Sequence, residues 1–195
     1  MRSRFGIGLI FVGMMCIFSA LGLMLWNVSE AKEAEEAVEA VMPQLIETIE
    51  DSATSASIAE PGVMTAKNID GYDYIGVLSF PTLNLDLPVM AQWDYTRLKI
   101  APCRYSGSTQ THNLVIAAHN YIRHFGSLKS LKPGDKVYLT DMNDTVYTYV
   151  VSEKEVLSPT AIEEMTAGNY DLSLFTCTYG GKSRITVRCT LTETK

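Results

Sequence analysis

Residues 173–189, SLFTCTYGGKSRITVRC, decide how the chain is to be read. An apolar and β-branched run ends on Cys177, turns through Gly180 and Gly181, and returns with Arg184 heading a second run. Short runs of this kind, bounded by glycine and polar clusters, predict a strand hairpin. In the returning strand, Ile185, Val187, Cys189 and Leu191 share one face, and Arg184, Thr186, Arg188 and Thr190 share the other. Cys189 therefore reads as a small core hydrophobe. Arg184 comes back beside the strand end that holds Cys177, and a cysteine next to a cation is a place where a thiolate is favoured.

The same punctuation continues upstream. YIGVLSF, LNLDLPV, NLVIAAH, KVYLT and TVYTYVV alternate with Pro, Gly, Asn and Asp, and residues 141–144 close a hairpin between the last two. Convincing helical pieces are short, around 94–100, 126–131 and 161–166. Seven or eight strands in about 120 residues predict a mainly β domain, a small barrel or sandwich, over residues 71–195.

The chain before residue 71 differs in character. Residues 5–26, FGIGLIFVGMMCIFSALGLMLW, carry no charge across 22 positions. As a helix they reach about 33 Å, enough to cross a bilayer core of roughly 30 Å. Arg2 and Arg4 lie before this segment and an acidic run after it, which predicts a cytoplasmic tip at 1–4 and everything beyond Trp26 outside the cell. A cleaved signal peptide is the rival reading; its apolar region usually spans about 7–15 residues, shorter than this one. Between Glu30 and Glu60 stand nine acidic residues against one lysine, Lys32. Taking that −8 from the chain's −6 leaves the remainder at about +2. No basic patch or stripe is present, which argues against a nucleic-acid partner. Ala34, Ala37, Val38, Val41, Leu45, Ile46 and Ile49 recur at helical steps, with Ser29 as candidate N-cap and Pro43 as a candidate kink. Residues 27–70 thus read as a helical stalk with a solvated acidic face, then a linker. On that reading, removing residues 1–60 leaves a folded, active domain.

Cys16 lies within the apolar span, leaving Cys103, Cys177 and Cys189 outside. Three cysteines cannot all pair within one chain, and a free thiol outside the cell calls for a chemical explanation. There is no CxxC pair to suggest a zinc ribbon or a thioredoxin site, and no clustered carboxylates that call for a metal. A nucleophilic cysteine needs a base or an imidazolium partner. His112 lies in a polar turn and reads as a surface residue; His124 lies on a loop, at the surface or on a site rim. His119 ends the apolar run LVIAA, the strand-end position that suits Cys177, with a structural histidine as the alternative.

Together these segments resemble the sortases, membrane-anchored cysteine transpeptidases of Gram-positive bacteria. GVLSFPTLNLDLPV is similar to the opening of that family's domain, IAAHNYIRHFGSLKSLKPGDKVYLTD to its histidine segment, and LSLFTCTYGGKSR to its Thr-Cys strand and downstream arginine. The resemblance runs from about Tyr74 to Thr190 and implies an eight-stranded β-barrel with a groove at strand ends. It implies His119, Cys177 and Arg184 as the catalytic trio, with Arg188 as the fallback arginine. It also implies Ala117, Ala118, Thr176 and Tyr179 as substrate-binding positions. Ala118 stands where the family often has glycine, and the turn between Cys177 and Arg184 is shorter than in many members. Thr-Cys-x-Tyr at 176–179 is similar to class B members, but 157–171 is too short for their long helix. That segment is expected to wall the peptide groove.

The implied chemistry is transfer of an acyl group from a sorting-signal peptide, through a thioacyl enzyme, to an amine of the cell wall or of a pilin. No cofactor enters it. Partners would be proteins bearing sorting signals, the amine acceptor, and the membrane through the anchor. One rival is an L,D-transpeptidase or another cysteine hydrolase of the cell wall. In L,D-transpeptidases histidine and cysteine lie close in sequence, whereas His119 and Cys177 are 58 positions apart. The other rival is a catalytically silent surface or adaptor barrel.

Overall fold

The computed structural model describes residues 2–53 and 64–195. Helix α1 (Arg2–Ala53) is followed by strands β1 (Lys67–Ile69), β2 (Tyr72–Phe80) and β3 (Leu85–Met90). Helix α2 (Tyr95–Leu98), β4 (Cys103–Ser106), β5 (Leu114–Ala117), a 3₁₀ segment (Phe125–Ser130), β6 (Lys136–Asp141) and β7 (Val146–Leu157) come next. Helix α3 (Ile162–Thr166), β8 (Leu172–Cys177) and β9 (Arg184–Thr194) complete the order.

Strand order is β2-β3-β4-β5-β8-β9-β7-β6, and a further β2–β6 pairing closes it into an eight-stranded barrel with β1 added along β2. Closure removes the open edges that would otherwise template aggregation. Most pairs are antiparallel; β3–β4 and β5–β8 are parallel. The 141–144 turn forms as expected, with the Asp141 carboxylate accepting from the amides of Asn143 (2.8 Å) and Thr145 (3.0 Å). Leu78, Phe80, Leu87, Leu114, Ile116, Leu139, Leu174, Val187 and Cys189 fill the interior. Strands β1 and β4 fall in stretches that the sequence pattern left unassigned, and both are short.

The amino-terminal segment departs from expectation in three ways. First, α1 is one continuous 52-residue helix, running through both Ser29 and Pro43. Ser29 is interior to it, and its hydroxyl donates to Glu33 (3.4 Å) instead of capping a new helix. Second, the helix beyond Glu30 is packed on the barrel. Ala34, Val38, Val41, Leu45 and Ile49 are buried, at steps of three and four that form one stripe. Third, Val41, Leu45 and Ile49 join Ile69, Tyr74, Val77, Met90, Ala101, Cys103 and Met142 in a second core outside the barrel wall. The first half of α1 keeps its large apolar side chains exposed and is long and apolar enough to cross a membrane.

Candidate active site

Two register relations assemble the site. In the antiparallel β8–β9 pair Cys177 lies directly opposite Arg184, so both side chains project from one face. In the parallel β5–β8 pair Ala117 is level with Phe175. His119 follows two residues after the end of β5, and Cys177 two residues after Phe175 at the end of β8, so the chain directs both toward the same strand ends. Main-chain and side-chain bonds hold that continuation: the Ala118 amide donates to the Phe175 carbonyl (3.2 Å), and the Thr176 hydroxyl donates to the Ala118 carbonyl (2.8 Å). Ala117, Ala118 and Thr176 are buried, so they shape the strand ends from within. Tyr179, at the tip of the turn, is 95% exposed and stands apart from them.

Cys177 is half-buried and in no disulfide. Cys103 and Cys189 are also unpaired, but both are buried, and burial pushes each thiol up to about 12. Desolvation penalises a thiolate at both positions, which leaves Cys177 as the accessible thiol of the barrel. His119 is half-buried, and desolvation lowers its pKa below the ordinary imidazole value. Glu30 pulls it back up and Lys99 presses it down. Its ring stacks on Tyr121 with centroids 4.8 Å apart.

Arg184 turns its guanidinium onto the hairpin, donating from Nη1 to the carbonyls of Gly181 and Ser183 (3.1 Å each). Arg188 shares its face but is 4% exposed and saturated. It donates to Glu155 (2.6 Å), Ser173 Oγ (2.8 Å) and the carbonyls of Glu164 (2.7 Å) and Met165 (3.0 Å). The face that Arg188 shares with Thr186 is therefore covered by the β7–β8 connection, and Thr186 is also fully buried. Of the two arginines, Arg184 is the one at the Cys177 end.

An aromatic row, Trp93–Tyr105–Phe175, has centroid separations of 5.1 and 5.3 Å, and its Tyr105 and Phe175 floor a small groove. Ser158, Pro159, Ala161, Ile162 and Met165 wall it, and Arg184 stands at one end. The sequence reading anticipated that wall but missed the floor, because Tyr105 lies on the unassigned strand β4.

The other two histidines divide as follows. His112 is exposed and paired with Asp171 (3.1 Å), as its polar turn implied. His124 is not at the surface or on a rim: it is fully buried, with neither ring nitrogen hydrogen-bonded. Burial, helped by the neighbouring His119, lowers its pKa to about 4 against the opposing pull of the Ile100 main chain. Phe125 and Leu128 are drawn into the core beside it, while Ile122 and Arg123 earlier in the loop stay exposed.

Among known proteins, the sortase-domain family model matches residues 78–192. Sortase A of Bacillus anthracis is 30% identical over 131 residues, covering 63% of this chain and 62% of that protein. Sortase A of Streptococcus agalactiae is 29% identical over 146 residues, covering 66% of this chain and 57% of that protein. The matched region thus spans about three-fifths of the length of each relative. Sortase C1 of Streptococcus suis superposes with a TM-score of 0.53 at 27% identity, over 62% of this chain and 73% of that one. A Clostridium perfringens sortase D5 gives 0.60 at 17% identity over 83% and 99%, a likeness of fold. With the family model covering more than half of its length, the chain belongs to the sortase family.

Proposed function

We propose that this protein is a cysteine transpeptidase whose nucleophile is Cys177, with His119 as its proton partner and Arg184 as the oxyanion-stabilising cation. The observation that carries the reading is the register that sets Cys177 across from Arg184, with the parallel β5–β8 pair ending two residues short of His119 on the same side. The Cys177 thiolate attacks the carbonyl carbon of a sorting-signal peptide bond, giving a tetrahedral oxyanion that the Arg184 guanidinium stabilises. To do so the guanidinium leaves the Gly181 and Ser183 carbonyls, a swing within reach of a side chain at a partly exposed strand end. Collapse breaks the C–N bond, and the imidazolium of His119 gives its proton to the departing amine. The thioacyl enzyme is then attacked by an acceptor amine, which loses a proton to His119. The C–S bond breaks and the thiolate returns.

In this reading the substrate peptide lies along the Tyr105–Phe175 floor, with Ala117, Ala118 and Thr176 shaping the strand ends beneath it from within and Tyr179 exposed on the turn beyond. A sortase C of Clostridium perfringens has been crystallised with a C-terminal cell wall sorting motif, which supports a sorting-signal substrate here. The apolar half of α1 anchors the enzyme as a single membrane pass, with the barrel outside the cytoplasm. The acceptor is an amine of the cell wall or of a pilin.

The test is direct. Full-length protein in non-ionic micelles is incubated with Leu-Pro and Asn-Pro sorting peptides, with and without triglycine, and analysed by intact-mass spectrometry. A thioacyl adduct that disappears in Cys177→Ala, and an aminolysis product that needs triglycine, are the expected results. Hydrolysis without transfer would make the enzyme a protease. An adduct that survives Cys177→Ala would refute the nucleophile.

A further inference from the structure

The β8–β9 turn, which carries the chain from Cys177 to Arg184, stands beside the last turns of the apolar half of α1. Tyr179 and Gly180 line a pocket with Leu23, Met24 and Asn27 of that helix. A neighbouring pocket sets Ile122, from the His119 loop, against Val28 and Ala31. Tyr179 is 95% exposed and Ile122 79%, the two most exposed large apolar or aromatic side chains among the described residues of the barrel. Residues 5–26 carry no charge, and the first charged residue after them is Glu30. At about 1.5 Å per helical residue, Met24 lies ~3 Å inside the Trp26 end of that span and ~9 Å before Glu30. A side chain that shares a pocket with Leu23 and Met24 therefore lies at the depth of the bilayer boundary, where Trp and Tyr rings are enriched. Trp26, itself largely exposed, marks the same band from the helix side.

We propose that the β8–β9 turn at Tyr179 and the His119 loop at Ile122 sit in the boundary between headgroups and acyl chains of the bilayer that α1 crosses. The inference goes beyond the transpeptidase reading and rests on one part of it, the single membrane pass. The occupant of this surface is lipid, not a second copy of the chain, because the surface is continuous with a membrane-length helix whose Leu23 and Met24 are themselves exposed. The side chains suit a boundary: Tyr179 presents an apolar ring with a polar hydroxyl, and Ile122 a wholly apolar tip. Gly180 and Gly181 adopt positive φ (83° and 72°), which lets the turn reverse tightly and leaves Tyr179 as its one aromatic side chain. Lys182, exposed three residues on, has a stem long enough to keep its ammonium among the headgroups. Glu30, the carboxylate nearest the span, is paired with Lys99 (2.9 Å) and so brings no bare charge to that level. Cys177 and His119 lie two and three residues from Tyr179 and Ile122 in sequence. The strand ends that hold the proposed chemistry thus lie at the lipid surface, and a peptide reaches them along it.

The chain has two tryptophans, Trp26 and Trp93, which allows single-tryptophan reporters in the full-length protein. Trp93→Phe leaves Trp26 to report on the span. Adding Trp26→Phe with Tyr179→Trp, Ile122→Trp or Asn169→Trp moves the reporter to the turn, to the loop, or to an exposed position at the opposite end of β8. Each protein is reconstituted into phosphatidylcholine vesicles with and without lipid brominated high on its acyl chains, and tryptophan emission is compared. Side chains held about 5–10 Å into the boundary should lose emission to at least about half the extent of Trp26. That loss is expected for both the turn and the loop reporters, while Asn169→Trp keeps its emission. With Trp26 quenched, an unchanged signal at either the turn or the loop overturns the proposal and leaves the membrane pass standing. Equal quenching at Asn169→Trp also overturns it, since the barrel would then lie on lipid without a preferred face. An unquenched Trp26 overturns the membrane pass and the docking with it. No turnover enters the readout, so a protein that never forms the thioacyl adduct would sink the transpeptidase reading while still reporting on this surface.

Discussion

His124 offers a sharp quantitative test of the core. Its ring is fully buried without a hydrogen bond to either nitrogen, and burial lowers its pKa to about 4. In the unfolded chain an imidazole titrates near 6.5. Above that pH the ring is neutral in both states and stability is independent of pH on its account. As the pH falls through 6.5, the unfolded chain binds a proton that the folded protein refuses until about 4, so stability is lost across that window. A displacement of about 2.5 units at about 1.36 kcal/mol each gives a total near 3 kcal/mol, most of it spent by pH 4.5. His119 adds a loss of the same sign, since burial lowers it too. The perturbation is His124→Leu, which keeps similar volume and removes both unsatisfied nitrogens. Urea unfolding of the full chain in non-ionic micelles, followed by near-ultraviolet circular dichroism, gives the stability of each protein at pH 7.5 and 4.5. Relative to the parent, the variant should gain about 2–3 kcal/mol on going from pH 7.5 to 4.5. A difference that stays constant between the two pH values would refute the reasoning, because His124 would then bind its proton equally well folded and unfolded.

Three further outcomes follow from single contacts. Arg188→Met removes four hydrogen bonds that tie β9 to Glu155, Ser173 and the α3 main chain. It should cost about 3 kcal/mol in urea unfolding, with hydrogen exchange rising first over residues 158–171. Gly126→Ala places a Cβ 2.6 Å from the Asn120 carbonyl oxygen and 2.7 Å from that of Tyr121. The His119 loop must shift, so thioacyl formation should drop by about tenfold or more while the circular dichroism spectrum stays native. Cutting the chain before residue 27 should leave a folded protein, whereas cutting before residue 61 should not. The second cut strips off Ala34, Val38, Val41, Leu45 and Ile49, each larger side chain worth about 1.5–3 kcal/mol of burial, so the urea midpoint should collapse and dye-binding apolar surface should appear.

The barrel and the pairing of Arg184 with Cys177 across the hairpin were legible because their signals are local. Alternation in RITVRCTL sent Val187 and Cys189 inward, as found, and the hairpin turn put Arg184 opposite Cys177. What no local pattern carries is which second surface covers a strand. Thr186 and Arg188 lie on the polar face of their strand and are buried all the same, because α3 sets the Glu164 and Met165 carbonyls against the Arg188 guanidinium. His124 looks like a loop residue and is buried, because Phe125 and Leu128 pull the segment into the core. Strand β4, with only four residues and one parallel partner pair to β3, has too little apolar periodicity to be seen, and the aromatic floor of the groove was hidden with it.

The acidic run on α1 shows the same failure with a functional consequence. Read alone, nine carboxylates beside one lysine describe a solvated face. In the fold the first five of them, all on α1, divide by position around the helix axis. Glu30, Glu35 and Glu39 meet Lys99 and Arg123, which lie some sixty to ninety residues away in sequence and flank the histidine loop. Glu33 and Glu36 remain on the outer side, where Glu36 is tied only to Lys32 within the helix. The apolar stripe of the same helix, from Ala34 to Ile49, fixes the rotation that makes this division. One helix thus joins an apolar, membrane-length segment to the strand ends that hold His119.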